Sequence, residues 1–234
     1  MERIGVDGLQ KLIDHLLKGL KRAGVIKGRT VAVDATFINA YSSIDTAAHR
    51  GYSDRDAEIG KDGLGYNLHL AVDADAELPV TYTATPANIR DVTEAPALLK
   101  GMRRTLPRGV QHLVADRGYS SDPFRTEVWR RHVEPVIPYR ANQHKGEKGL
   151  LRIDSHFKPH GPTRLKRLYR KRTAVERVNS RLEQHFGLLN HRARGLGNIT
   201  LHIQLCITAI PLNAQAAINL GKPSKIRSPT YFAN

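Results

Sequence analysis

One cysteine, Cys206, occurs in 234 residues. That excludes a disulfide framework and any cysteine-rich zinc module. No apolar run reaches the roughly 18 residues a membrane helix needs. The nearest, Leu201 to Leu220, is interrupted by His202, Gln204, Pro211, Asn213 and Gln215. The N-terminus lacks the basic, apolar, small-residue order of a signal peptide. No internal repeat is present. Acidic residues are scarce: 22 Asp and Glu against 37 Lys and Arg, a formal net charge of +15. With 40% hydrophobic and 25% charged residues the chain is globular rather than disordered, and its length suits one large domain. A cytoplasmic protein with a polyanionic partner is the expectation. A basic ribosome-like protein is the alternative that charge alone leaves open.

The charge is concentrated. Between Tyr139 and Arg194 lie 15 of the Lys and Arg residues and only 4 of the acids. Neutralising phosphates takes such a block, although a solvated charged loop has the same composition.

Hydrophobic periodicity gives the element order. Leu9, Leu12, Ile13, Leu16, Leu17 and Leu20 form one stripe of a helix that ends near Arg22. Thr30 to Val33 reads as a strand ending at Asp34, and Asn39 to Gly63 as a polar loop. Tyr66 to Val72 and Pro79 to Thr85 read as a hairpin. Asp91 to Met102 reads as a helix capped by Asp91. His112 to Ala115 reads as a strand ending at Asp116. A helix capped by Ser121 or Asp122 runs to about Arg131, and Val133 to Ile137 is a fifth strand. Tyr139 to Leu168 reads as a basic insertion. A long helix from Arg170 to Phe186 follows, with Val175, Val178, Leu182, Phe186 and Leu189 inward, then an apolar helix around Leu201 to Asn219. This predicts an α/β fold, a mixed β-sheet flanked by helices in the ribonuclease H-like order. The expected division is an N-terminal helix over residues 1–28, a main α/β domain over 29–220 with the insertion at about 139–168, and a polar tail over 221–234.

Three carboxylates stand at informative places. Asp34 and Asp116 each end a hydrophobic strand, where ligand sites gather in open α/β sheets. Glu176 lies on the polar face that Arg172, Asn179, Ser180 and Glu183 share. Carboxylate oxygens suit Mg²⁺, and paired ions clamp the attacking and leaving oxygens of a phosphodiester. The plainer alternative makes Asp34 and Asp116 turn caps and pairs Glu176 with Arg172 on a solvated helix. His156 and His160 have helical metal-ligand spacing, but Pro159 argues against a helix there. Trp129, the only tryptophan, reads as a core residue of its helix.

Four segments in order carry a resemblance: VAVDAT around Asp34, GYNLHLAVDADAELPVTYTATPANIRD from Gly65 to Asp91, LVADRGYSS around Asp116, and YRKRTAVERVNSRLEQHFGLLNHRARGL from Tyr169 to Leu196. Over roughly Thr30 to Ala217 the chain resembles the catalytic domain of DDE transposases of bacterial and archaeal insertion sequences. The resemblance implies a ribonuclease H-like fold and a metal-binding catalytic triad, here Asp34, Asp116 and Glu176. It also implies the signature Tyr, two residues, Arg, three residues, Glu, six residues, Lys. Tyr169, Arg172 and Glu176 are in register, while Glu183 stands where that group has Lys. In that group the Tyr, Arg and Lys are linked to contacts with transposon-end DNA. The reversal at Glu183 removes one such contact, for which Arg181 is the nearest substitute. Only 33 residues precede Asp34, fewer than the end-binding region such proteins usually carry, so a separate N-terminal portion is a candidate partner.

The expected function is cleavage at transposon ends and strand transfer into target DNA, with two Mg²⁺ (or Mn²⁺) on Asp34, Asp116 and Glu176. Tyr169, Arg172, Arg177 and Arg181 would hold phosphate. The partners are double-stranded DNA and a second copy in a synaptic dimer, with no membrane; the location is cytoplasmic, at the nucleoid. A nuclease without strand transfer and an inactive, transposase-derived DNA-binding protein are the alternatives. Convergence of the three carboxylates separates the enzymes from a purely basic binding protein.

Overall fold

The β-branched run that opens at Thr30 builds a longer strand than its sequence suggests. In the computed structural model, which describes residues 5–51, 63–106, 108–140 and 163–232, β1 spans Thr30–Asn39. Asp34 is therefore inside the strand rather than at its end. The first four residues of β1 are buried, as a central strand covered on both faces requires. A short strand, β2 (His49–Gly51), lies in the stretch expected to be loop. β3 (Gly63–Asp73) and β4 (Leu78–Pro86) form the expected hairpin, each longer than predicted. β5 is His112–Ala115 and β6 is Glu134–Val136.

β1 pairs antiparallel with β3 on one side and parallel with β5 on the other, and β6 extends the parallel half. β4 runs along the outer edge of β3, with β2 beyond it at Gly63–Gly65. This is a ribonuclease H-like mixed sheet.

Six α-helices are described: α1 (Val6–Arg22), α2 (Asp91–Thr105), α3 (Asp122–Arg130), α4 (Thr163–Arg170), α5 (Thr173–Gln184) and α6 (Leu196–Asn219). They cover both faces of the sheet, as the alternation of β4 shows. Thr81 meets Gly101 of α2, whereas the neighbouring Tyr82 hydroxyl donates to Gln10 of α1 at 2.7 Å. α1 buries Leu9, Ile13, Leu16, Leu17 and Leu20, each contributing about 1.5–3 kcal/mol. Leu12 is 40% exposed, so the stripe is narrower than expected. Ile13, Leu17 and Leu20 join the same core as the sheet. α6 is long and apolar enough to cross a membrane by length and composition, but it packs on α1 and β4, and half of its most apolar stretch is buried there.

The long helix expected from Arg170 to Phe186 is two helices. Between them Lys171, Arg172, Ala174 and Val175 donate to the carbonyls three residues back, and the Thr173 hydroxyl takes up Arg170 O at 3.0 Å. A threonine that bonds the preceding turn competes with the helix ladder. α5 stops early because Gly187 adopts φ +69° and the Leu188 N–H returns to Leu182 O at 2.9 Å. Leu188, not Leu189, is the buried residue. Trp129 is 55% exposed, against its reading as core. Most of the basic insertion, including His156 and His160, lies outside the described residues; its final stretch from Thr163 is α4.

Candidate active site

The β1–β5 register pairs Val33 with Ala115. The next residue on each chain is a carboxylate, so Asp34 and Asp116 stand side by side. β5 ends there: Asp116 Oδ1 accepts from the Gly118 N–H at 2.7 Å and opens a tight turn over Arg117–Tyr119. Asp34 Oδ1 accepts from its neighbour's N–H, Ala35, at 3.0 Å.

Glu176 comes from α5, which Ala174, Val175, Val178 and Leu182 pin to the core. One turn before it, Arg172 donates to Asp34 Oδ2 at 3.1 Å and also to Glu176 Oε1. The i, i+4 pair that a solvated helix would form is thus present, but its arginine also reaches the sheet. Tyr169 completes this wall, with Arg172 Cζ 6.0 Å from its ring centre. Glu183 is there too, accepting from the Thr36 hydroxyl at 3.0 Å.

Asp34, Ala35, Thr36 and Asp116 floor two adjoining cavities of about 650 Å³ each. One is walled by Tyr169, Arg172, Glu176 and Glu183. The other runs past Arg50, Asn67, Asn88, Asp91 and Arg140. Together they make a groove with the aspartates at its middle.

Burial pushes the Asp34 carboxyl up to about 7; Arg172 opposes this, and Asp116 and Glu176 add to it. Asp91 is pushed up to about 6 by burial and by Asp116, with Arg140 opposing. Asp91 does not cap α2, whose cap is Arg90; it is the first helical residue and faces His69 Nδ1 at 3.6 Å. His69 is fully buried and pushed down to about 4 by burial, hence neutral. Its nitrogens lie 3.0 Å from the Thr85 hydroxyl and 3.4 Å from the Tyr119 hydroxyl.

Among the described residues no three His, Cys, Asp or Glu side chains are drawn close enough to hold a metal ion. The Arg172 guanidinium bridges two of the acids instead. The donor set itself is all carboxylate oxygen, which suits a hard divalent cation. Burial is the main cause of the raised Asp34 value, and the neighbouring Asp116 and Glu176 add to it.

Arg177 and Arg181 lie outside the groove lining. Both pair with Glu77 of the β3–β4 turn, at 2.7 and 3.1 Å, and Arg227 joins them at 3.4 Å. In this structure Arg181 is engaged by Glu77 and does not line the groove beside Glu183. Arg140 was not identified from sequence. It donates to the carbonyls of Arg117 (2.8 Å) and Gly118 (2.5 Å), fixing the turn after Asp116. Its only signal was its place at the start of the basic block.

The model of the transposase DDE domain family matches residues 26–212. Among solved structures, the piggyBac transposase synaptic complex with hairpin DNA is 10% identical, with a TM-score of 0.54 over 92% of this chain and 56% of that one. The catalytic core domain of BIV integrase is 12% identical, with a TM-score of 0.44 over 83% of this chain and 98% of that one. The catalytic domain of Mos1 mariner transposase is 12% identical, with a TM-score of 0.33 over 79% and 93%.

Proposed function

Because the chain belongs to the transposase DDE domain family, we propose that it cuts and joins DNA strands in the groove floored by Asp34 and Asp116. The chain is the catalytic portion of a DDE transposase. The observation that carries the site is the β1–β5 register, which sets Asp34 beside Asp116 with Glu176 facing them from α5.

Asp34, Asp116 and Glu176 would hold two Mg²⁺ (or Mn²⁺). A divalent ion supplies charge to the phosphodiester transition state and acidifies a bound water or hydroxyl. The protein's own part is positioning. Asp116 is oriented by the Gly118 N–H, and the turn beneath it by Arg140. Arg172, once its guanidinium leaves Asp34 and Glu176, is free to hold a backbone phosphate between Tyr169 and the acids. Such contacts place DNA without reading its sequence. Arg177 and Arg181 hold α5 to Glu77 and are read as supports of the Glu176 helix rather than DNA ligands.

The substrates are double-stranded DNA at the element's ends and at a target. Two ends handled together require two copies, and an end-binding portion from outside this domain would choose the ends. The reaction belongs with chromosomal DNA in the cytoplasm. The test is strand cleavage and joining with Mg²⁺ on a duplex carrying the terminal sequence that bounds the chain's own coding region. Asp116→Asn should abolish both steps and leave salt-sensitive binding intact; unchanged cleavage overturns the assignment.

A further inference from the structure

The two adjoining cavities share a floor but not a set of acids. Asp34 and Asp116 line both. On one side the further acids are Glu176 and Glu183, from α5. On the other side the one further acid in the lining is Asp91, the first residue of α2.

Asp91 and Asp116 are aimed at each other. A β-carbon on Gly118 would meet Asp91 Oδ2 at 2.7 Å and Asp116 Oδ1 at 2.8 Å. Two carboxylate oxygens thus converge on one point, and a residue without a side chain leaves that space open. The other oxygen of Asp91 faces His69 Nδ1 at 3.6 Å. His69 is fully buried and lies 3.0 Å from the Thr85 hydroxyl, so Asp91 is backed by a fixed side chain.

Like charges this close disfavour one another unless a cation joins them. Among the described residues, neither Asp91 nor Asp116 forms an ion pair with Lys or Arg. Arg140 attracts Asp91 electrostatically, but its guanidinium donates to the Arg117 and Gly118 carbonyls. Cations are not scarce, with 37 Lys and Arg in the chain. On the opposite side Arg172 ties Asp34 to Glu176. An acid in the first turn of a helix is ordinary, because it meets the helix dipole, and Glu94 shares that turn. The dipole does not require an Asp91 oxygen to face Asp116.

We propose that Asp91 is a fourth metal-binding carboxylate: with Asp116 it holds one divalent cation, while Glu176 serves the other from the opposite side of the aspartates. This rests on the reading that the groove cuts DNA with divalent ions. Mg²⁺ keeps several waters and takes one or two carboxylates together with substrate phosphates. A facing pair is therefore a sufficient share for the protein to supply. His69 behind Asp91 fixes the orientation of the ligand, as outer partners of metal ligands do.

The experiment measures Mn²⁺ uptake by electron paramagnetic resonance. The chain is bound to a pre-cut terminal duplex whose 3′ end is a dideoxynucleotide, so that nothing can be joined. The wild-type chain should take up two ions. Asp91→Asn, which keeps the shape of the side chain, should bind the second ion about tenfold or more weakly. Cleavage of the intact duplex gives an independent readout. Asp91→Cys should be inactive in Mg²⁺ and regain activity in Mn²⁺, because a thiolate suits the softer ion better. A residue that only supports the fold gives no such metal dependence. A wild-type chain that takes up two ions and cleaves, beside an Asp91→Asn chain that binds both with unchanged affinity, overturns the role of Asp91 alone. So does an Asp91→Cys chain equally slow in both metals. A wild-type chain that neither takes up Mn²⁺ nor cleaves overturns the underlying function.

Discussion

Arg172 spans the gap between a strand and a helix, donating to Asp34 at 3.1 Å while also holding Glu176 on its own helix. One guanidinium thus neutralises two of the three acids expected to hold metal, and it lies where a divalent ion would compete with it.

Metal binding should therefore tighten when this arginine is removed. In the DNA-free chain, Arg172→Ala should strengthen Mn²⁺ binding by about tenfold, equivalent to about 1.4 kcal/mol. The same variant should weaken duplex binding and reduce its salt slope by about 0.9, the loss of one phosphate contact. Mn²⁺ titration followed by electron paramagnetic resonance reads the first effect. Unchanged or weaker Mn²⁺ affinity would show that Arg172 does not compete for the site.

The Asp34 carboxyl gives a pH signature without metal. Its folded value, about 7, is above the ordinary 3.8 because burial, Asp116 and Glu176 outweigh Arg172. Between these values the folded chain binds more protons than the unfolded one, so this group lowers stability as pH rises from about 4 to 7. Asp34→Asn lacks the penalty. In EDTA its stability gain over wild type should be about 0.5 kcal/mol or less at pH 4 and reach about 4 kcal/mol, as an order of magnitude, at pH 8. Urea unfolding at the two pH values checks this; an equal gap at both contradicts it.

The element order was legible because strand periodicity is local; Asp116 does follow a strand end, whereas β1 continues past Asp34 to Asn39. VAVD and HLVAD announce themselves, and the register does the rest. Arg172, Arg177 and Arg181 were not separable by sequence. All three are cations on one helical stretch, yet one turns to the sheet and two turn to Glu77. What distinguishes them is the position of the β3–β4 turn, a contact about 100 residues away in sequence. β2 was missed for a related reason. Three residues without apolar alternation make a strand only because the edge of β3 is open to them.

Glu77 offers the test of that separation. It is 5% exposed, sits at φ +56° and gathers Arg177, Arg181 and Arg227. Only Arg181 among its partners is largely buried, while Arg177 and Arg227 are about half exposed, so losing Glu77 should cost less than the about 3–5 kcal/mol of a fully buried pair. Glu77→Gln should lower stability by that smaller amount in urea unfolding. Arg181→Ala should likewise destabilise, while leaving the salt slope of duplex binding unchanged. A slope reduced by about 0.9 would return Arg181 to the list of phosphate contacts.

Gly118 is the position where the smallest change should separate folding from chemistry. A β-carbon there would lie 2.7 Å from Asp91 Oδ2 and 2.8 Å from Asp116 Oδ1. Real β-carbons do not show such contacts, and Arg140 braces the turn through the Gly118 carbonyl, whereas the contacting atoms are the ends of carboxylate side chains. The carboxylates must move instead. Gly118 is not at positive φ, so alanine adds no backbone strain, and the fold should persist with a melting temperature close to wild type. Misplacing a reacting group by about 1 Å costs about 100-fold in rate. Gly118→Ala should therefore cut strand cleavage by about that factor while binding duplex normally. Near-normal cleavage by a stably folded Gly118→Ala chain would mean that Asp116 does not require its observed orientation, and would weaken its assignment to the reacting centre.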